Sequence, residues 1–185
     1  MVKIAVIVDS ENEWFNPKSP YFLGENIDYR KRMKKLTDFL RKKKIPIVFT
    51  RHIEPEESPT LTESASNCCE PAFQKGTNGI ELISELSRRP EEPVVTKVRS
   101  ISPFYKTGLE KTLKKLKADR LLVAGILTNL CVRSTVADAW DREYKITIVK
   151  DCCLSDSEKT DKAVFEDIKN TRPDVQLVAL KNLKA

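Results

Sequence analysis

The chain has 185 residues, of which 40% are hydrophobic and 32% are charged, and this size and mixture predict one globular domain over residues 1–185. The composition excludes collagen-like, low-complexity and disulfide-scaffold proteins, and no apolar run approaches the ~20 residues that a membrane-spanning helix needs. The 33 Lys and Arg residues against 27 Asp and Glu give a net charge of +6.

The first apolar stretch, residues 3–8, is rich in β-branched residues and ends at Asp9. Such a run is typical of a strand buried on both faces of a sheet. It is too short for a signal peptide. We therefore expect a cytoplasmic protein without a membrane partner.

The densest basic segment spans residues 30–44 and carries apolar residues at helical spacing. This spacing predicts an amphipathic helix with its Lys and Arg side chains on the solvent face. A nucleic-acid groove would interleave its basic residues with aromatic stacking platforms, which is not the pattern here, so we expect no nucleic-acid partner.

Strands and helices alternate along the whole chain, which predicts an α/β fold. We expect a three-layer, doubly wound, Rossmann-like sheet of about six mainly parallel strands with helices on both faces. The other predicted strands are 47–49, 94–95, 121–124, 146–149 and 175–180. The predicted helices are about 27–44, 105–117, 129–143 and 158–170.

Two irregular segments, residues 10–25 and 51–92, interrupt this alternation. Loops as long as the second are uncommon inside a compact domain and often carry function. Both segments follow predicted strands, so both leave the sheet at its carboxyl edge, where open parallel sheets bind ligands. The sequence therefore predicts a site at this edge.

Three residues with useful chemistry stand near that edge: Asp9 after the first strand, Lys97 after residues 94–96, and Cys131 near the start of the 129–143 helix. A thiol in the first turn of a helix is expected to have a lowered pKa. An acid, a base and a nucleophile together suit a cysteine hydrolase. Taken singly, each residue also fits a structural role without chemistry: Asp9 as a turn residue, Lys97 as a surface lysine and Cys131 as a small buried side chain. The inward face of that helix is predicted to hold Val132, Val136, Ala139 and Trp140.

The segment around Cys131, GILTNLCVRSTVADA from Gly125 to Ala139, resembles the isochorismatase-like cysteine hydrolases, a family that includes nicotinamidases and N-carbamoylsarcosine amidase. It is close to their pattern G-[VI]-x-T-N-x-C-V-x-x-T-x-x-D-A. Three further segments match motifs of the family. VDSEN, from Val8 to Asn12, corresponds to D-x-Q-N, and FQKGTNG, from Phe73 to Gly79, corresponds to a G-T-x-G turn. Lys97, Phe104 and Leu109 have the spacing of K-x(6)-F-x(4)-L.

The resemblance implies an Asp9, Lys97 and Cys131 triad that hydrolyses a small amide or related C–N bond through a thioester. It also implies a cis peptide between Ile126 and Leu127, an oxyanion hole from the backbone N–H groups of Leu127 and Cys131, a small-molecule substrate and a homo-oligomer. Two other functions stay open. One is a vinyl-ether hydrolase acting on an isochorismate-like acid, with Asp9 as the acid. The other is a catalytically silent binding protein of the same fold.

The chain departs from the family at its second strand. Nicotinamidases hold a metal there with an Asp-x-His pair and a further His, whereas His52 is the only histidine of this chain. The remaining candidate ligands, Glu54, Glu56 and Glu57, make a poor zinc site, so we expect neither a metal nor another cofactor.

Four further side chains have open roles. Trp14 and His52 are candidate pocket-lining residues, although His52 fits a solvated loop equally well. Glu11 stands where the family has Gln, and its role is open. Five cysteines, with adjacent pairs at 68–69 and 152–153, indicate neither a disulfide framework nor zinc spacing. We expect the adjacent pairs to be small buried side chains.

Overall fold

The computed structural model describes residues 2–54, 72–98 and 100–184. Its centre is a six-stranded sheet in the order β3-β2-β1-β4-β5-β6, with every pair of neighbours parallel. The α/β fold predicted from the alternating pattern is confirmed. The strands are β1 Lys3–Val8, β2 Ile47–Ile53, β3 Val94–Val98, β4 Arg120–Ile126, β5 Lys145–Leu154 and β6 Gln176–Val178.

The sheet separates two apolar layers because successive side chains of a strand point to opposite faces. On β1, Ala5 and Ile7 join one core, and Ile4, Val6 and Val8 join the other. This explains why the strand sequence is continuously apolar. The helices are α1 Ile27–Lys42, α2 Leu109–Lys115, α3 Arg133–Asp141 and α4 Glu158–Thr171.

Helix α1 packs on the first core, and α2, α3 and α4 contribute to the second, so helices cover both faces. The apolar side chains of α1 are buried at the predicted helical spacing. Helix α4 begins after Ser157, whose hydroxyl accepts the Thr160 backbone N–H and caps the helix. No helix in the described residues has the length and apolar character needed to cross a bilayer.

The predicted helix over residues 105–117 is shorter in the structure, because residues 100–108 form turns and α2 begins only at Leu109. The predicted inward face of the 129–143 helix was wrong at one position. Val132, Val136 and Ala139 are fully buried, but Trp140 is 40% exposed. Its indole N–H donates to Asp174, and the guanidinium of Arg172 lies over its ring.

Strands β1 and β4 approach each other unusually closely where β1 ends. Gly125 has φ +135°, and a Cβ atom there would lie 2.0 Å from the backbone oxygen of Val8. Only glycine fits both this backbone conformation and this contact. The approach brings the residue after β1 beside the turn after β4.

The first irregular segment leaves β1 at the carboxyl edge as expected, but the predicted start of the second at residue 51 was wrong, because β2 continues to Ile53. Residues 12–15, 78–80 and 84–86 form single 3₁₀ turns within them. Glu56, Glu57, Cys68 and Cys69 lie outside the described residues. Cys152 and Cys153 are buried in β5, as predicted for one of the two adjacent pairs.

Candidate active site

Four side chains meet at the carboxyl edge of four neighbouring strands. Lys97 lies on β3, His52 on β2, Asp9 follows β1, and Cys131 lies in the turn after β4. His52 and Lys97 are register partners across the β2–β3 pair. The sheet order therefore brings together residues that are up to 122 positions apart in the chain.

The ammonium group of Lys97 is the centre of this group of side chains. Its Nζ atom lies 2.9 Å from Asp9 Oδ2 and 3.3 Å from Cys131 Sγ. It also donates to the backbone oxygen of Ser100 at 2.8 Å and lies 3.3 Å from His52 Nδ1. Burial alone would lower the pKa of Lys97, but Asp9 and Cys131 outweigh it and raise that pKa, so the lysine stays charged.

Asp9 is fixed from three directions. The hydroxyl of Thr50 donates to Asp9 Oδ1 at 2.6 Å and accepts the Asp9 backbone N–H at 3.2 Å. The indole of Trp14 donates to the Asp9 backbone oxygen at 2.8 Å. The residue has φ +42°, a left-handed conformation that turns the chain out of β1. Its carboxylate is fully buried.

Cys131 lies in a wide helical turn, Thr128–Val132, whose hydrogen bonds span five residues and which precedes α3. Such π-type turns occur frequently at functional sites. The expectation of a lowered thiol pKa is not met. Burial, followed by the negative charge of Asp9, raises the pKa of Cys131 to about 12, because Lys97 offsets only part of both effects. The thiol is therefore protonated at rest.

Of the two residues whose backbone N–H groups are implied for an oxyanion hole, Leu127 directly precedes this turn and Cys131 lies within it. The Ile126–Leu127 peptide is cis. The Leu127 backbone oxygen accepts the N–H groups of Leu130 and Val132. These bonds tie the turn that carries Cys131 back to the end of β4.

Glu11 is a second, fully buried carboxyl close to Asp9. Its Oε1 accepts the backbone N–H of His52 at 2.7 Å, and its Oε2 has no hydrogen-bond partner among the described residues. Burial and the nearby Asp9 raise the pKa of Glu11 well above its ordinary value, although the His52 N–H and Lys97 act in the opposite direction. Burial beside Asp9 therefore favours the protonated form of Glu11.

His52 belongs to the site rather than to a solvated loop, since only 15% of its side chain is exposed. Its Nε2 lies 2.6 Å from Glu54 Oε1, and its ring edge contacts Phe73. Trp14 is buried against Phe73 and Tyr21. Its indole N–H donates to the Asp9 backbone oxygen, so Trp14 holds the backbone of Asp9 in place.

The sequence did not predict three polar contacts of the site: Thr50 with Asp9, Ser100 with Lys97, and Glu54 with His52. Thr50 and Ser100 bind through a hydroxyl and a backbone oxygen, which many residue types could supply. The one available signal was their position, because Thr50 lies within β2 and Ser100 follows β3, the two strands that carry His52 and Lys97.

The model of the isochorismatase domain family matches residues 3–178, which is most of the chain. The chain belongs to the isochorismatase family. One relative, Nicotinamidase 3 of Arabidopsis thaliana, is 27% identical over 135 residues, which cover 71% of this chain but only 66% of that protein.

Solved structures of similar proteins have the same fold. N-carbamoylsarcosine amidase of Thermoplasma acidophilum has a TM-score of 0.82 at 23% identity and covers both chains completely. The pyrazinamidase of Pyrococcus horikoshii, solved in complex with zinc, has a TM-score of 0.82 at 20% identity and covers 97% of this chain and 99% of its own.

The zinc of that relative raises the question whether this family member has a matching donor set. Both ring nitrogens of His52 already face partners, one of which is the Lys97 ammonium. A metal ion on Nδ1 would lie beside a fixed positive charge. Within the described residues, no group of three or more His, Cys, Asp or Glu side chains could hold a metal ion. The described residues do not fit zinc.

Proposed function

We propose that this chain is a cysteine hydrolase that cleaves a small amide or a related C–N bond. In this proposal Cys131 is the nucleophile, Asp9 carries the proton and Lys97 holds the charge. The observation that carries it is the position of Lys97 Nζ, 2.9 Å from Asp9 Oδ2 and 3.3 Å from Cys131 Sγ. Relatives named as a nicotinamidase and as amidases support the same reaction class.

The first step is transfer of the Cys131 thiol proton to Asp9. Before transfer the negative charge lies on Asp9, and after it the charge lies on sulfur. Both positions contact the same ammonium, so the pair of charges stays balanced throughout. The raised pKa of Cys131 means that this proton is rarely lost to solvent. It therefore remains available for the leaving group.

The thiolate then attacks the carbonyl carbon, and a C–S bond forms while the carbonyl oxygen becomes an oxyanion. Backbone N–H groups of Leu127 and Cys131 are the proposed donors to this oxygen. Asp9 returns its proton to the nitrogen, the C–N bond breaks, and an amine or ammonia leaves. The acyl group is now a thioester on Cys131.

Water completes the reaction with Asp9 as base again. Asp9 takes a proton from water, the hydroxide attacks the thioester carbonyl, and the C–S bond breaks. The product is a carboxylic or carbamic acid, and the sulfur recovers its proton from Asp9. Each proton that Asp9 accepts is passed on, so the enzyme returns to its starting state.

A panel of small amides and carbamoyl compounds, with ammonia release as the readout, tests this function. Cys131→Ala should abolish turnover of any substrate found. Cys152→Ala is the matched control, because it removes a buried thiol from β5 outside the site and should keep activity within about twofold. An acyl adduct on Cys131, trapped by acid quench and located by mass spectrometry, would establish the thioester.

The two other candidate functions give different results in the same experiments. A vinyl-ether hydrolase would process isochorismate-like acids, lose activity in Asp9→Asn and keep it in Cys131→Ala. A silent binding protein would turn over nothing in the panel and would form no adduct. An active Cys131→Ala enzyme would contradict the covalent mechanism.

We further propose a small molecule as the substrate, a homo-oligomeric assembly and a cytoplasmic location, as the sequence and the family resemblance imply. Light scattering on the purified protein tests the assembly, with a monomer mass of 21.1 kDa as the reference.

A further inference from the structure

His52 and Glu54 form a second tier of contacts behind the three proposed catalytic residues. The imidazole bridges two groups, because Nδ1 lies 3.3 Å from Lys97 Nζ and Nε2 lies 2.6 Å from Glu54 Oε1. Its backbone N–H is held by Glu11, which is itself fully buried. The residue is thus held at three points, two on its ring and one on its backbone.

The chemistry of Lys97 decides which ring nitrogen carries the proton. An ammonium group has only donors, so the His52 nitrogen that faces it must accept. Nδ1 is therefore unprotonated, and the proton of the neutral ring is on Nε2, where it is donated to the Glu54 carboxylate. A doubly protonated ring would direct an N–H group at the ammonium.

By accepting one N–H group of Lys97, Nδ1 of His52 helps to fix the orientation of the ammonium. Lys97 has three N–H donors, which face Ser100 O, His52 Nδ1 and Cys131 Sγ, and its ammonium also forms an ion pair with Asp9 Oδ2. Ser100 and His52 occupy two donors and lie outside the Asp9 and Cys131 pair. The third donor then faces Cys131 Sγ, while the ammonium forms its ion pair with the Asp9 carboxylate, so both groups that exchange the negative charge contact the same cation.

We propose that His52 is a positioning residue, held in its Nε2–H form by Glu54, that orients the Lys97 ammonium toward Asp9 and Cys131. The inference rests on the proposed function for its catalytic consequence. The tautomer and the contact with Lys97 can be measured without any substrate.

The chain is suited to this measurement, since His52 is its only histidine. Protein labelled with ¹⁵N-histidine, with any affinity tag removed, gives the signals of one imidazole. At pH 7 we expect an unprotonated Nδ1 and a protonated Nε2, assigned from their couplings to the ring C–H protons. Lys97→Met should shift the Nδ1 signal, because the hydrogen bond from Nζ is lost. A proton on Nδ1, or on both nitrogens, would overturn the proposal.

Two substitutions of matched size separate positioning from packing. Asn places an oxygen close to the position of Nδ1, whereas Leu fills similar space without an acceptor. With a substrate in hand, His52→Leu should lower kcat about 10- to 100-fold with little change in KM, as expected for a displaced charged group. His52→Asn should keep kcat within about fivefold of the parent.

Equal losses of kcat in the two variants, with native circular dichroism in both, would mean that the ring only packs and would refute the proposal. If no substrate is found, the proposed function is in question, but the NMR result still decides the tautomer of His52 and its contact with Lys97. The two failures are therefore distinguishable.

Discussion

The backbone oxygen of Val8 lies 2.0 Å from the position that a Cβ atom of residue 125 would occupy, so Gly125 is the residue that lets β4 reach β1 beside Asp9. No flexible side chain can move aside, because the obstructing atoms belong to backbone. The contact joins the two strands from which Asp9 and Cys131 emerge.

Gly125→Ala should therefore destabilise the fold by more than about 3 kcal/mol, since overpacking and a positive φ both count against alanine. Urea unfolding measures the loss. Gly108→Ala is the matched control, because its new Cβ would meet no atom within 4 Å, and it should change stability by less than about 1 kcal/mol. Similar stabilities for the two variants would contradict the close approach.

Because Asp9 and Lys97 form a buried ion pair, we expect the stability losses of the two single variants to add up to much more than the loss in the double variant. Lys97→Met leaves the Asp9 carboxylate buried without its cation, which should cost roughly 3–5 kcal/mol. The double variant with Asp9→Asn removes that stranded charge, so it should be more stable than Lys97→Met alone, although it is inactive.

A double-mutant cycle in urea measures this coupling. The exposed Lys34–Asp38 pair, whose charged atoms lie 2.8 Å apart, is the control, and its coupling should stay below about 0.5 kcal/mol because water screens it. An Asp9–Lys97 coupling as small as that of the control would show that the pair is not buried as described.

Glu11→Gln should make stability less sensitive to rising pH. The folded protein holds Glu11 protonated well above its unfolded pKa of about 4.3, so its stabilising effect is complete below that pH and is lost as pH rises toward the folded value. Glutamine cannot ionise and keeps an oxygen for the His52 N–H.

The difference in unfolding free energy between Glu11→Gln and the parent should therefore grow from pH 4 upward, by at most about 1.4 kcal/mol per pH unit, and then level off. Denaturant titrations at several pH values measure it. A difference that is constant with pH would mean that folding does not raise the pKa of Glu11.

Turnover should survive chelation. Both nitrogens of His52 face protein partners, and the ammonium of Lys97 stands beside one of them, so a zinc ion would have to displace these contacts. Activity after dialysis against EDTA should match that of the untreated enzyme. Stoichiometric zinc in the purified protein, with activity lost to chelator and restored by Zn²⁺, would contradict this and favour a nicotinamidase.

The sequence predicted the strands well where burial on both faces leaves a continuous apolar run, as in β1. It was less successful with helices. The segment before Leu109 has apolar residues at helical spacing, but Phe104 is buried by a turn in which Ser102 bonds Asp138 of α3. Trp140 is at the correct spacing for the core, yet Asp174 and Arg172 hold it at the surface. Such partners come from distant segments, which periodicity does not register.

The positions of Asp9, Lys97 and Cys131 followed from strand ends and from a family motif, but their electrostatics did not. The sequence predicted a lowered thiol pKa from the helix start alone. Burial and the charge of Asp9 instead raise the pKa of the thiol, and neither effect can be known before the sheet order is known. For the same reason, the contact between His52 and Lys97 became visible only with the β2–β3 register.

Strand β3 is the last strand on its side of the sheet formed by the described residues, with β2 as its one neighbour. The cation of the site is therefore carried by an element that has half the ladder hydrogen bonds of a central strand. Edge elements open locally at lower free energy than the core. Opening of β3 would withdraw Lys97 while β1 and β4 stay paired. On heating, we therefore expect activity to be lost at a lower temperature than that at which the whole protein unfolds. Amide exchange in β3 should be correspondingly faster than in β1.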